Sequence, residues 1–181
     1  MPNWCENDVY VRGPRSEVEK VVAHLKSDNR EFDFNKVIPY PEKLRQMDED
    51  ANAFSYFNKE VQNLSQEEIT VRREAYKKKW GTDKDGFNSG GYEWCHENWD
   101  TKWNACDITS RMNKNGSAFY SFSTAWASPT KVFVALSRLF PKVLFRIKWY
   151  ERGMAVKGEY ELIAGKYTHE SQGEYHGNRG G

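Results

Sequence analysis

Residues 7–14, NDVYVRGP, alternate apolar and polar side chains and stop at Gly-Pro, and a helical pattern follows at once. A strand sends successive side chains to opposite faces, so Val9 and Val11 share one face and Asp8, Tyr10 and Arg12 the other. In RSEVEKVVAHLKSD, residues Val18, Val21, Val22 and Leu25 recur at helical spacing and make one apolar stripe. Ser16, with Glu19 three residues later, has the form of a capping box. A second strand-and-helix succession appears past residue 103. WNACDITSRMNKNGSAFYSFSTAW reads as a β-hairpin turning at Asn115-Gly116. Ala118, Tyr120, Phe122 and Thr124 fall on one face of it, and Phe119, Ser121 and Ser123 on the other. ASPTKVFVALSRLFP then reads as a helix, with Ser128 as cap and Pro129 at the first helical position. KVLFRIKWYERGMAVKGEYELIAG supplies two more strands around ERGM.

The order strand, helix, strand, strand, helix, strand is that of the ferredoxin-like split βαβ arrangement. The expected class is α+β: an antiparallel βαββαβ sheet with both helices on one face, an extra C-terminal strand and a helical insertion. The insertion covers about residues 42–100, where charged and amide side chains dominate and β-branched residues thin out. Within it, SQEEITVRREAYKKKWG carries Ser65 as cap, Glu68 completing the box and Gly81 as stop. Upstream, Phe32, Phe34, Val37 and Ile38 form a short extended piece that Pro39 and Pro41 keep out of a central strand. Residues 1–168 thus make one domain around the insertion, and the Gly-rich polar stretch 169–181 reads as a flexible tail.

Aromatic residues are 15% of the chain although the hydrophobic fraction is only 38%, so the core should be built from rings. Lys plus Arg is 27 and Asp plus Glu is 26. A protein organised around phosphate neutralisation usually shows a larger basic excess, so any nucleic-acid role needs local charge asymmetry. Three cysteines, Cys5, Cys95 and Cys106, and an opening stretch without a cationic or apolar leader point to a reduced cytoplasmic protein. No run approaches the ~20 apolar residues of a membrane span.

Four segments, PNWCENDVYVRGP, FDFNKVIPYP, ENWDTKWNACD and FSTAWASP, resemble in this order the YubB-type ferredoxin-like family, whose uncharacterised members occur in bacteriophages, prophages and conjugative plasmids. The resemblance runs through nearly the full length. It implies a ferredoxin-like fold without an iron–sulfur cluster, and a mobile-element or enterobacterial origin. It implies no catalytic residues. That family usually has glycine where this chain has Asp100; if the glycine serves a positive φ, aspartate tolerates it better than most residues.

The tryptophans are the main candidates for function. If residues 92–106 form one helix, Tyr92, Cys95, Trp99, Trp103 and Cys106 share a face. If a strand begins near 103, Trp99 lies in a loop and Trp103 enters the sheet. The indoles then either plug the seam between insertion and sheet, or leave a ring exposed to stack on a base or clamp a partner. In the second case Lys102 and Asn104 add a charge and amide hydrogen bonds, and Trp4, Trp99, Trp103 and Trp126 share a pocket. Arg72, Arg73, Lys77, Lys78 and Lys79, with Tyr76 and Trp80 among them, are either a nucleic-acid grip or a solvated face balanced by Glu67, Glu68 and Glu74. Glu93, His96, Glu97 and Asp100 have spacings that could gather ligands on a helix, but no CxxC or HExxH accompanies them. No GxSxG or phosphate-loop pattern occurs.

These features favour a non-enzymatic accessory protein that binds another protein, of host or phage, through an aromatic surface, with no cofactor and no membrane partner. Single-stranded nucleic-acid binding by stacking and Lys/Arg contacts is the alternative. A metal-dependent hydrolase built on Glu93, His96 and Asp107 is third. Self-association is compatible with all three.

Overall fold

In the computed structural model, which describes residues 3–177, strand β1 (Trp4–Arg12) runs into helix α1 (Arg15–Leu25). Three helices follow: α2 (Glu42–Asn52), α3 (Gln66–Trp80) and α4 (Gly91–Trp99). Then come β2 (Cys106–Met112), β3 (Ala118–Ala125), α5 (Thr130–Leu139), β4 (Leu144–Glu151), β5 (Val156–Ile163) and β6 (Lys166–Glu174). The six strands form one sheet in the order β2-β3-β1-β4-β5-β6, every pair antiparallel. Strands β2-β3-β1-β4 reproduce the ferredoxin-like βαββαβ order, and β5 and β6 extend it past β4. The chain divides into two compact units, Met1–Pro39 with Cys95–Gly181, and Tyr40–Trp94.

The sheet unit's core follows the period-two pattern. Val9 and Val11 of β1, Tyr120 and Phe122 of β3, Phe145 and Ile147 of β4, and Tyr160 and Leu162 of β5 are all buried. Val18, Val21 and Leu25 of α1 and Val132, Phe133 and Leu136 of α5 are buried as well. Phe32 lies among them, its ring centre 5.1 Å from that of Tyr120, 5.0 Å from Phe122 and 6.0 Å from Phe133. Offset and edge-on ring pairs of this kind add about 0.5–1.5 kcal/mol each beyond the area they bury.

Several local expectations are corrected. Helix α1 begins at Arg15, so Ser16 lies inside it and caps nothing; Glu19 instead accepts from Arg15 Nε at 2.8 Å. Ser128 does not cap α5 either, because its hydroxyl pairs with the Tyr160 hydroxyl at 3.0 Å. The stretch around Phe34 is not extended but a short 3-10 turn, Phe34–Lys36, capped by Asp33. Helix α4 ends at Trp99 and β2 begins at Cys106, so Trp103 sits in the loop between them, neither in a longer helix nor in the sheet. The stretch read as a tail beyond 168 is instead strand β6, paired with β5 through Glu174, while residues 178–181 lie outside the described residues.

In the second unit, α3 forms as its sequence predicts. Ser65 and Glu68 make a reciprocal capping box, and Gly81 closes the helix in the left-handed region at φ 73°. Tyr76 is buried and donates its hydroxyl to the Lys84 carbonyl at 2.7 Å. Among the described residues no helix is long and apolar enough to cross a membrane.

Candidate functional site

Trp4 opens β1 opposite Ala125, the last residue of β3, so the indoles gather at one end of the sheet unit. By alternation along β1, Trp4 stands on the face away from the core, with Glu6 and Tyr10. The Trp103 ring lies 6.1 Å from the Trp4 ring at an interplanar angle of 41°. Lys102 Nζ sits 3.9 Å from the centre of Trp103 and 4.5 Å from that of Trp126. Each such contact is worth about 0.5–1 kcal/mol at an exposed site. Trp4, Trp103 and Trp126 are 38%, 37% and 38% exposed, so one cation joins rings that all still reach solvent.

Trp126 adopts φ 71°, rare for a bulky side chain and costing about 1–2 kcal/mol. Contacts of its backbone and of its ring hold it. Its backbone N–H donates to the Asn3 carbonyl at 2.9 Å, and its ring stacks on His96 at 5.4 Å and 29°. Helical spacing suggested His96 as a metal ligand; no spacing could reveal that it supports an indole 30 residues on.

The structure separates two of the candidates from this surface. Trp99 is only 4% exposed; its indole N–H donates to the Ile38 carbonyl at 2.9 Å and its ring meets Phe34 edge-on at 5.6 Å. Asn104 is a tie between segments. Its amide nitrogen donates to Asp33 Oδ1 at 2.7 Å, and its oxygen accepts from the Phe34 and Ala105 N–H groups at 3.0 and 2.9 Å. Burial would raise the Asp33 pKa, but donors from Asn104, Asn35 and Ser27 outweigh it and hold the carboxyl below the usual range.

Asp100 takes φ 61°, in the left-handed region that aspartate tolerates better than most residues. Its Oδ2 accepts from the Lys131 N–H at 3.0 Å and its Oδ1 pairs with Lys131 Nζ at 3.0 Å. The cap of α5 thus comes from the loop beside the tryptophans, with a carboxylate at the positive end of the helix.

The basic run of α3 is partly spent inside its own unit. Lys79 pairs with Asp50 at 2.7 Å, Arg72 donates to the Ala53 carbonyl at 3.0 Å, and Arg73 lies 5.6 Å from the Phe54 ring. Lys77 and Lys78 are exposed. Among the described residues no group of three or more His, Cys, Asp or Glu side chains is placed to hold a metal. Burial pushes the Cys5 thiol up to about 12 and raises Cys106 as well, so both stay protonated and weakly nucleophilic at neutral pH. Asp107 sits at φ 52° where the pairing of β2 with β3 slips between Cys106 and Thr109.

No curated protein matches the chain. Residues 98–179 match the family model described as the ferredoxin-like domain in Api92-like protein. Among solved structures, the chain is similar to the crystal structure of protein Api92 from Yersinia pseudotuberculosis, with a TM-score of 0.56 and 10% identity over 99% of this chain and 100% of that one. At that identity the likeness speaks for the fold alone. The chain is therefore ferredoxin-like, and its residues 98–179 carry the match to the ferredoxin-like domain of Api92-like proteins.

Proposed function

We propose that this protein acts by binding rather than by catalysis, and that it takes another protein on the indole end of its sheet. The observation that carries the reading is the single Lys102 ammonium lying over both Trp103 and Trp126, with Trp4 against Trp103. Partly exposed tryptophans beside a cation have the composition of an interface hot spot. Rings held by neighbours lose little further freedom on binding, which favours affinity. Lys102 suits a partner segment that brings an acidic side chain beside apolar ones. The resemblance to proteins of phages, prophages and plasmids supports a cytoplasmic setting and a host protein as partner.

The test is quantitative capture of partners from a bacterial lysate by immobilised protein. Wild type is compared with the Trp103→Ala/Trp126→Ala double variant and with Lys102→Glu. The reading requires a defined partner retained by wild type and lost by both variants while their thermal unfolding matches wild type. An unchanged captured set with intact fold would overturn it.

A further inference from the structure

The opposite end of the sheet's open face carries a different arrangement. Tyr10 of β1 is directly paired with Phe119 of β3, and Phe119 with Arg111 of β2. The Tyr10 and Phe119 rings lie 5.1 Å apart, tilted by 58°, and the Arg111 guanidinium lies 4.5 Å from the Phe119 centre. Around them Arg12, Gly13, Asn113, Asn115 and Ser117 close a cavity of about 400 Å³. The turn that forms its wall is held by its own bonds: Asn113 Nδ2 donates to Ser117 Oγ at 2.9 Å, and Asn115 Oδ1 accepts from the Ser117 N–H at 3.1 Å.

Charge decides what this cavity can take. Further along the sheet two cations have carboxylates beside them: Arg146 pairs with Glu159 at 2.6 Å and lies 3.7 Å from Glu161, and Lys148 lies 3.6 Å from Glu159. Glu6 pairs with Arg152 at 3.0 Å. Among the described residues, neither Arg12 nor Arg111 has a carboxylate partner. Two uncompensated guanidiniums therefore flank two half-exposed rings. The complementary ligand has a flat π-face for the rings and negative charge for the arginines.

We infer that this cavity binds single-stranded nucleic acid, stacking a base on Phe119 and Tyr10 and taking the flanking phosphates on Arg12 and Arg111. Base–aromatic stacking is indifferent to sequence, and a duplex hides the base faces it needs. The two arginines project from different strands, on either side of the ring pair, so a chain can enter past one and leave past the other. This site lies six residues along β1 from Trp4, roughly 20 Å, so it is independent of the indole surface.

The test is fluorescence anisotropy of labelled single strands of about 12 nucleotides, RNA and DNA, near 50 mM salt and upward. Arg12→Gln/Arg111→Gln should weaken binding at least tenfold and cut the slope of log affinity against log salt by about one to two. Phe119→Leu, which keeps an apolar residue in the strand, should weaken binding several-fold and leave the slope alone. Trp103→Ala should change nothing, which keeps the outcome apart from that of the protein-binding reading. Circular dichroism and thermal unfolding confirm that each variant folds. The inference is overturned by no binding near 50 mM salt, or by unchanged affinity in the folded double-Gln variant. It is equally overturned by a duplex that binds as well as the single strand, or by a free mononucleotide that competes as well as the oligonucleotide.

Discussion

Asp100 and Lys131 meet twice, carboxylate to backbone N–H and carboxylate to side-chain ammonium, both at 3.0 Å. Lys131 Nζ also donates to the Glu97 carbonyl at 2.8 Å, so one lysine ties the end of α4 to the start of α5. Asp100 thus does two jobs at once. It tolerates a left-handed backbone, and it caps a helix 31 residues away.

Asp100→Ala should lower unfolding stability by about 1–2 kcal/mol, since it loses the cap and keeps the strained φ. Asp100→Gly should fall between the two, because glycine relieves the backbone but cannot cap. Urea unfolding of the three proteins gives the order, and an alanine variant at least as stable as the glycine one would refute the double role.

Trp99 and Trp103 should behave oppositely on truncation. Trp99→Ala removes a buried ring and its hydrogen bond to Ile38 and should cost about 3–5 kcal/mol. Trp103→Ala removes a half-exposed ring and should cost under about 1 kcal/mol. Similar losses in denaturant titrations of both variants would contradict the division between core and surface.

Asp33 links the fold to pH. Its folded pKa is depressed, so its contribution is fully present above the ordinary aspartate value of about 3.9 and is lost as pH falls through the lower folded value. The stability gap between wild type and Asp33→Asn should therefore narrow as pH drops below about 4. Asp48, whose pKa burial raises, works in the opposite sense but is common to both proteins and cancels. A gap that stays constant down to about pH 2.5 would show that Asp33 is not ionisation-linked.

One substitution should stabilise. Ile163 and Lys166 are joined through Ala164 at φ 50° and Gly165 at φ 76°, a two-residue turn with both central residues left-handed. Asn-Gly suits that geometry better than Ala-Gly. Ala164→Asn should raise stability by about 0.5–1 kcal/mol. Gly165→Ala should lower it, because the added carbon would lie 2.3 Å from Arg138 Cγ. Thermal unfolding of both variants checks the pair, and a loss of stability in Ala164→Asn would sink the turn argument.

What was readable in the sequence was what is local. Alternation marked β1 and β3, apolar spacing marked α1 and α5, and Ser65, Glu68 and Gly81 marked both ends of α3, because each pattern is decided within a few residues. Strand β6 escaped because KYTHESQGE is exposed along its whole length, and an edge strand with no buried face shows no alternation. The caps expected for α1 and α5 failed for the reverse reason. Ser16 and Ser128 are the right residue types in nearly the right places, but the α5 cap is Asp100, chosen by tertiary contact. The indole cluster was visible as composition. Its split into a buried Trp99 and an exposed Trp103 depends on where α4 stops, which residue identity does not state. The Tyr10, Phe119 and Arg111 cavity was invisible because its three residues come together only through the register of three strands.

The bond from Trp99 to the Ile38 carbonyl has a consequence for how such a chain can change over time. It fastens together the two points between which residues 40–94 are strung, within the sheet unit itself. A segment whose departure and return are clamped side by side can lengthen, shorten or be exchanged without disturbing the strands that anchor it. The clamp makes this position a natural port for grafting new sequence onto an old sheet.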